Sequence, residues 1–197
     1  MKWLVFVCSI VPAVASADTG RLLSDDTFDT TAGSGLVLDG GIVVGLPAAL
    51  PTGLTTGVGV GITRACGCRF AYGARLSWSM VSEPGAGWVV TQQDLRARIT
   101  GSIRHTAGRG ILELRLGAGP TFVREVRDRE QGMRAGLTGS DLQTSALRAL
   151  PALDLEAVVS VKVAGSWIVV VSGGPSVDYN GGVRGGWTSQ LGVAWER

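Results

Sequence analysis

From Ser34 onward the chain repeats one pattern eight times: apolar and polar residues alternate with period two. Alternation at this period puts one set of side chains on each face of an extended strand. A bilayer offers no water to unpaired backbone groups, so strands that cross it must close on themselves. The pattern predicts an all-β fold, an eight-stranded antiparallel up-and-down transmembrane β-barrel, with the apolar set facing lipid and the charges facing inward.

The third stretch, Arg69 to Val81, is the clearest: Phe70, Tyr72, Ala74, Leu76, Trp78 and Met80 alternate with Arg69, Gly73, Arg75, Ser77 and Ser79. Before it lie stretches from Ser34 to Leu46 and from Leu54 to about Arg64. The second of these has a face of little but backbone, with Gly57, Gly59 and Gly61 opposite Val58, Val60 and Ile62. The fourth stretch (Trp88 to His105) and the fifth (about Ile111 to Phe122) carry similar polar sets. The sixth is secure only from Ala152 to Val163, because Ser140 with Gln143 resembles a capping box and Leu142, Ala146 and Ala149 have helical spacing, so 141–150 reads as either helix or strand. The seventh runs Trp167 to Tyr179 and the eighth Trp187 to Trp195.

The N-terminus supplies an address. Lys2, an apolar run from Leu4 to Val14 and the small residues Ala15, Ser16 and Ala17 have the order of a secretory signal, with cleavage expected after Ala17. The run falls short of the roughly 20 apolar residues of a membrane-spanning helix. Residues 18–33 are polar and acidic and read as a flexible periplasmic tail, leaving 34–197 as the barrel. A positive mean hydropathy in a chain with 30 glycines is unusual for a soluble export. The formal net charge of +2 gives no support to nucleic-acid binding.

Connections and aromatics test the same reading. With both termini periplasmic, the turns Ala65–Cys68, Thr106–Gly110 and Ala164–Ser166 fall on one side. The longer connections Pro47–Gly53, Ser82–Gly87, Arg124–Gln143 and Asn180–Gly186 fall outside, as in barrels with short periplasmic turns. Phe70, Tyr72, Trp167 and Trp195 lie at periplasmic strand ends, and Trp78, Trp88, Phe122, Tyr179 and Trp187 at external ends. Two girdles at the membrane interfaces would place them so. Phe28, in the tail, stands apart, and Trp88 has the wrong parity, which a bulge would explain.

By this pattern, over roughly residues 34 to 195, the chain resembles the outer-membrane protein A-type and related small eight-stranded barrels of Gram-negative bacteria. The resemblance implies an outer-membrane location, membrane lipid and lipopolysaccharide as surroundings, and insertion by the outer-membrane assembly machinery. Members of that class often end on an aromatic residue. Here Leu191, Val193 and Trp195 keep the alternation, but Glu196 and Arg197 follow.

The inward charges Arg75, Asp94, Arg96, Arg98, Glu113, Arg115, Asp154 and Glu156 stand on four consecutive strands and are placed to pair across them. An eight-stranded interior is just wide enough for side chains, so a salt-bridged plug is the expectation. A narrow channel or small-ligand cavity is the alternative, encouraged by the glycine faces of the second and fifth stretches. Lipid A chemistry of the kind some such barrels perform needs a nucleophile and base at the external rim, whereas the only histidine, His105, falls at the periplasmic end. No catalytic residue, cofactor or metal is expected. Cys66 and Cys68, in an oxidising compartment, suggest a local disulfide; with His105 they would still lack a fourth zinc ligand. GVGVG from Gly57 to Gly61 is no phosphate loop, since no helix start follows it. In the long third external loop, Arg124, Arg127, Arg129 and Arg134 are candidates to meet lipopolysaccharide phosphates, or are simply solvated. The expected role is non-enzymatic, structural or in surface interaction. A secreted soluble barrel with its apolar faces turned inward is a further alternative.

Overall fold

The computed structural model describes residues 35–46, 54–66, 69–84, 89–127, 129–134, 136, 138–139 and 145–197. The expected signal peptide, the expected tail, Trp88 and Cys68 lie outside this set. The strands are β1 (Leu36–Leu46), β2 (Thr55–Cys66), β3 (Phe70–Pro84), β4 (Val89–Ala107), β5 (Gly110–Arg127), β6 (Ser145–Ala164), β7 (Trp167–Tyr179) and β8 (Val183–Glu196), with one short helix, α1 (Arg129–Arg134), between β5 and β6. Each strand pairs antiparallel with its sequence neighbours, and β1 pairs with β8 from Val37↔Glu196 to Leu46↔Trp187. The sheet is a closed up-and-down barrel.

Side chains follow the period-two parity. Ile42, Val58, Leu76, Ile99, Leu114, Leu155 and Leu191 are exposed on the outer wall. Asp94, Arg96, Arg98, Arg115 and Asp154 are buried in the lumen. This inverts a soluble barrel, in which the apolar set would be the buried one, and it removes the secreted alternative. The girdle aromatics point outward at both ends: Phe70, Tyr72, Trp167 and Trp195 at the turn end, and Trp78, Phe122, Tyr179 and Trp187 at the opposite, loop end. Trp167 pairs with Trp195 across β7 and β8.

The loop-end boundaries differ from the sequence reading: β5 continues to Arg127, so Arg124 and Arg127 stand on the strand and not in the loop, and of the two readings left open for 141–150 the strand holds from Ser145. Residues 145–150 are strand, paired through Val126↔Ser145 to Thr121↔Leu150, so the helical spacing there is overridden by ladder formation with β5. The helix of this connection lies earlier, at Arg129–Arg134, with Glu130 in its first turn and Arg134 in its last, the arrangement a helix dipole favours. The loop-end connections are also shorter than expected. β3 continues to Pro84 and β4 starts at Val89, and β8 starts at Val183, leaving only Asn180–Gly182 after β7. Ser82, Glu83 and Arg184 stand where the sequence reads as loop, yet they extend the ladders. At the turn end, Gly108 (φ 55°) and Gly165 (φ 53°) take the left-handed conformation that tight two-residue hairpins require.

Two Gly-Pro pairs interrupt the ladders without shifting register. The β4–β5 pairing runs to Arg96↔Thr121 and resumes at Ile99↔Ala118, skipping Gly119 and Pro120. The β6–β7 pairing runs to Asp154↔Ser176 and resumes at Ala157↔Gly173, skipping Gly174 and Pro175. Proline has no N–H to give a ladder, and both prolines point outward while the glycines face in.

The lumen is layered. Near the turn end Ile111, Val158, Ile168, Val170 and Ala194 form a buried apolar cluster, with Val37 packed against it. Charged side chains occupy the middle. On β2 the glycines let neighbouring strands and side chains approach: a Cβ on Gly57 would run into the backbone carbonyl of Trp78, and one on Gly61 would meet the Asp39 carboxylate at 2.5 Å. Gly57→Ala should therefore lower stability by about 1–3 kcal/mol. Gly101→Ala, where a Cβ meets nothing within 4 Å, should stay within about 0.5 kcal/mol. Urea unfolding of the two variants in detergent, followed by tryptophan fluorescence, checks the contrast.

Candidate functional site: the lumen charge network

Because inward positions recur every second residue, charges on adjacent strands stack at similar heights and meet across the lumen. Arg98 is the most connected. Its Nε donates to Asp154 Oδ2 at 2.5 Å, and its Nη2 donates to Thr121 Oγ1 at 2.8 Å and lies 3.9 Å from Asp178 Oδ1. Thr121 in turn donates to Asp178 at 3.0 Å. Arg98 Nη1 donates to the carbonyls of Ala97 (3.1 Å), Gly119 (3.4 Å) and Pro120 (2.7 Å), at the place where the β4–β5 ladder is broken. One guanidinium thus joins β4, β5, β6 and β7 and takes up carbonyls at the interruption.

A second cluster centres on Arg75 of β3. It reaches Glu156 of β6 at 3.2 Å, Asp39 of β1 at 3.4 Å, and the side-chain carbonyl of Gln190 on β8. Glu156 also lies 3.6 Å from Arg115, whose Nε donates to Glu113 at 2.8 Å. The third group is sparser. Gln92 donates to Asp94 at 2.8 Å, and Arg96 Nη2 lies 3.7 Å from the other Asp94 oxygen. Within the lumen a cavity of about 40 Å³ is lined by Arg75, Arg96, Arg98, Arg115, Asp154 and Glu156, together with small polar residues.

All eight expected lumen charges thus face inward and take part in ion pairs. Sequence reasoning left out Asp39, Asp178, Gln190 and Thr121, which complete the shells of Arg75 and Arg98. Asp178 stands alone among Ser172, Gly174 and Ser176, so no run of charge marked β7; its parity was the available signal. The apolar cluster was missed as well. It draws Ile168 and Val170 from the continuous apolar run Trp167–Val171 of β7, and single residues, Ile111, Val158 and Ala194, from β5, β6 and β8.

The remaining candidates are apart from the lumen. Arg124, Arg129 and Arg134 are exposed at the loop end; the side chain of Arg127 is outside the described set. Cys66 ends β2 in an exposed position, and Cys68, its expected disulfide partner, is outside the described residues. His105 is exposed on the outer wall near the turn end. Among the described residues no three histidine, cysteine or carboxylate side chains gather where they could hold a metal ion.

Removing Arg98 would leave the buried Asp154 and Asp178 without their cation. Arg98→Met should cost about 3–5 kcal/mol, as breaking a buried pair from one side does. Arg148→Ala should cost no more than about 1 kcal/mol, since Arg148 is largely exposed and only 4.0 Å from Glu125. Denaturant midpoints of both variants in the same detergent give the comparison.

No known protein-family profile and no curated protein sequence matches the chain. Solved structures do. The attachment invasion locus protein Ail of Yersinia pestis, solved in complex with the heparin analogue sucrose octasulfate, superposes with a TM-score of 0.56 at 12% identity, over 83% of this chain and 99% of that one. The outer membrane protein OprG of Pseudomonas aeruginosa gives 0.53 at 10% identity, over 84% of this chain and 96% of that one. The chain has the fold of the small eight-stranded outer-membrane β-barrels.

Proposed function

We propose that the chain is exported through a signal peptide cleaved after Ala17 and resides in the outer membrane as a non-enzymatic barrel with a structural or surface-contact role, its lumen closed to ions. One observation carries this reading. The outer wall is an apolar belt between two aromatic girdles, while the lumen holds paired charges above a packed apolar cluster. An eight-stranded interior filled in this way leaves no continuous water path. The turn end, with both termini, faces the periplasm, and the loop end faces outward. Insertion then depends on the outer-membrane assembly machinery.

Two measurements test it. In outer membranes of a Gram-negative host, unheated protein should migrate differently from boiled protein on a denaturing gel, since folded barrels resist detergent until heated. Recovery as soluble periplasmic protein would overturn the location. In planar bilayers the folded chain should pass no unitary current. Steady single-channel steps that change in Arg96→Ala or Glu113→Ala would replace the closed lumen with the narrow-channel reading.

The outward contact is assigned to lipopolysaccharide phosphates. Arg124 near the end of β5 and Arg129 and Arg134 on α1 are exposed, and a structural neighbour was solved with a sulfated anion bound. Replacing the three arginines by alanine should leave the heat-dependent gel shift intact and weaken binding to lipopolysaccharide vesicles several-fold. Unchanged binding would assign the loop to solvation alone.

A further inference from the structure

The wall of the barrel sorts charge by sign. Among the described residues every strand carboxylate stands at lumen parity, from Asp39 on β1 to Glu196 on β8. Basic side chains do occur at outward parity: Arg64 on β2 and His105 on β4 at the turn end, and Arg124 on β5 at the loop end, all exposed. Arg64 belongs to the turn-end girdle. It stands opposite the exposed Tyr72 across β2 and β3, and Tyr72 stands opposite Gly101 of β4. The next row toward the middle of the wall, Ile62, Ala74 and Ile99, is wholly apolar. Arg64 makes no ion pair with any described residue. Its guanidinium is carried where the apolar belt gives way to lipid head groups, with a phenol as its neighbour.

We propose that this row binds an anionic glycerophospholipid of the turn-end leaflet, its phosphate held by Arg64 with Tyr72 beside it. The selectivity follows from what the outward face lacks. Any phospholipid brings a phosphate to which the guanidinium and the phenol O–H donate. A zwitterionic one also brings an ammonium group, whose counter-charge would be a carboxylate, and the described outward face carries none. A net-negative head group such as phosphatidylglycerol leaves no charge unanswered. Water solvates Arg64 too, but it neutralises nothing, and a cation at a low-dielectric surface attracts net negative charge. His105, nearer the turn on β4, adds an imidazole to the same wall. The inference rests on the outer-membrane placement proposed above and is independent of what Arg124 and α1 contact outside.

The full chain, folded in detergent, is incubated with equal amounts of phosphatidylglycerol and phosphatidylethanolamine, and the lipid it retains is read by native mass spectrometry. Phosphatidylglycerol should be retained in about three- to fivefold excess, the gain expected of one basic residue at a membrane surface. The excess should fall to parity in Arg64→Gln and persist in Arg64→Lys, which keeps the charge. It should also persist in Arg124→Gln, which removes the outward cation at the other end. The heat-dependent gel shift shows that each variant is folded, and its absence from the unaltered chain would overturn the membrane placement itself. With the shift intact, equal retention of the two lipids would overturn the proposal. So would an excess that survives Arg64→Gln, or one that disappears in Arg124→Gln.

Discussion

Closure of the backbone ladder is the constraint on which the rest of this structure depends. A sheet surrounded by lipid has no solvent to satisfy a free edge, so eight strands must return to the first, and β8 does so along nearly the whole of β1. Closure fixes a narrow interior, and period-two parity then commits every second residue to it. The charges of β4, β5 and β6 have no other place to go. Their pairing is a consequence of the barrel's width as much as of their chemistry.

Seen this way, the Gly-Pro interruptions are the costly sites, because a broken ladder leaves carbonyls without partners where water is scarce. At Gly119–Pro120 the deficit is met by Arg98, the same side chain that holds Asp154 and approaches Asp178. The buried charge and the backbone defect offset one another. A guanidinium suits this double duty, since its planar set of donors can serve carbonyls on one side and carboxylates on the other. Glu156 stands opposite the second interruption, and it ties Arg75 to Arg115 across the lumen.

Much of this was legible in the residues. Parity separates the inward charges from the outward aromatics among the described residues, because alternation in a membrane-spanning strand has only two registers and one of them would bury charge in lipid. What lay beyond it has physical causes. Helical spacing and strand pairing compete at Ser145–Leu150, so that stretch stayed open between helix and strand, while Val183–Gly186, short and glycine-rich, looked like loop although it pairs as strand. The apolar cluster near the turn end takes single residues from β5, β6 and β8 and two from β7, so no one stretch of sequence announces it. Partners contributed singly, such as Asp39 and Asp178, become visible only when register sets the height of each strand against the next.

The strands are unequal in length, from 11 residues in β1 to 20 in β6. β5 and β6 keep pairing up to Val126↔Ser145, whereas β7 leaves β6 at Ala152↔Asp178. Beyond that point β6 keeps only β5 beside it, but β5 stays paired with β4 as far as Val90↔Arg127, and β4 with β3 as far as Pro84↔Val89. The loop-end rim is therefore lopsided: β3 to β6 rise together as one four-stranded flap, and β7, β8, β1 and β2 stop lower. Because the flap is braced strand to strand, a residue inserted into the β5–β6 hairpin would have to be matched along β4 as well. The tall side of the rim is a stiff extension of the wall, and α1 is held at its top.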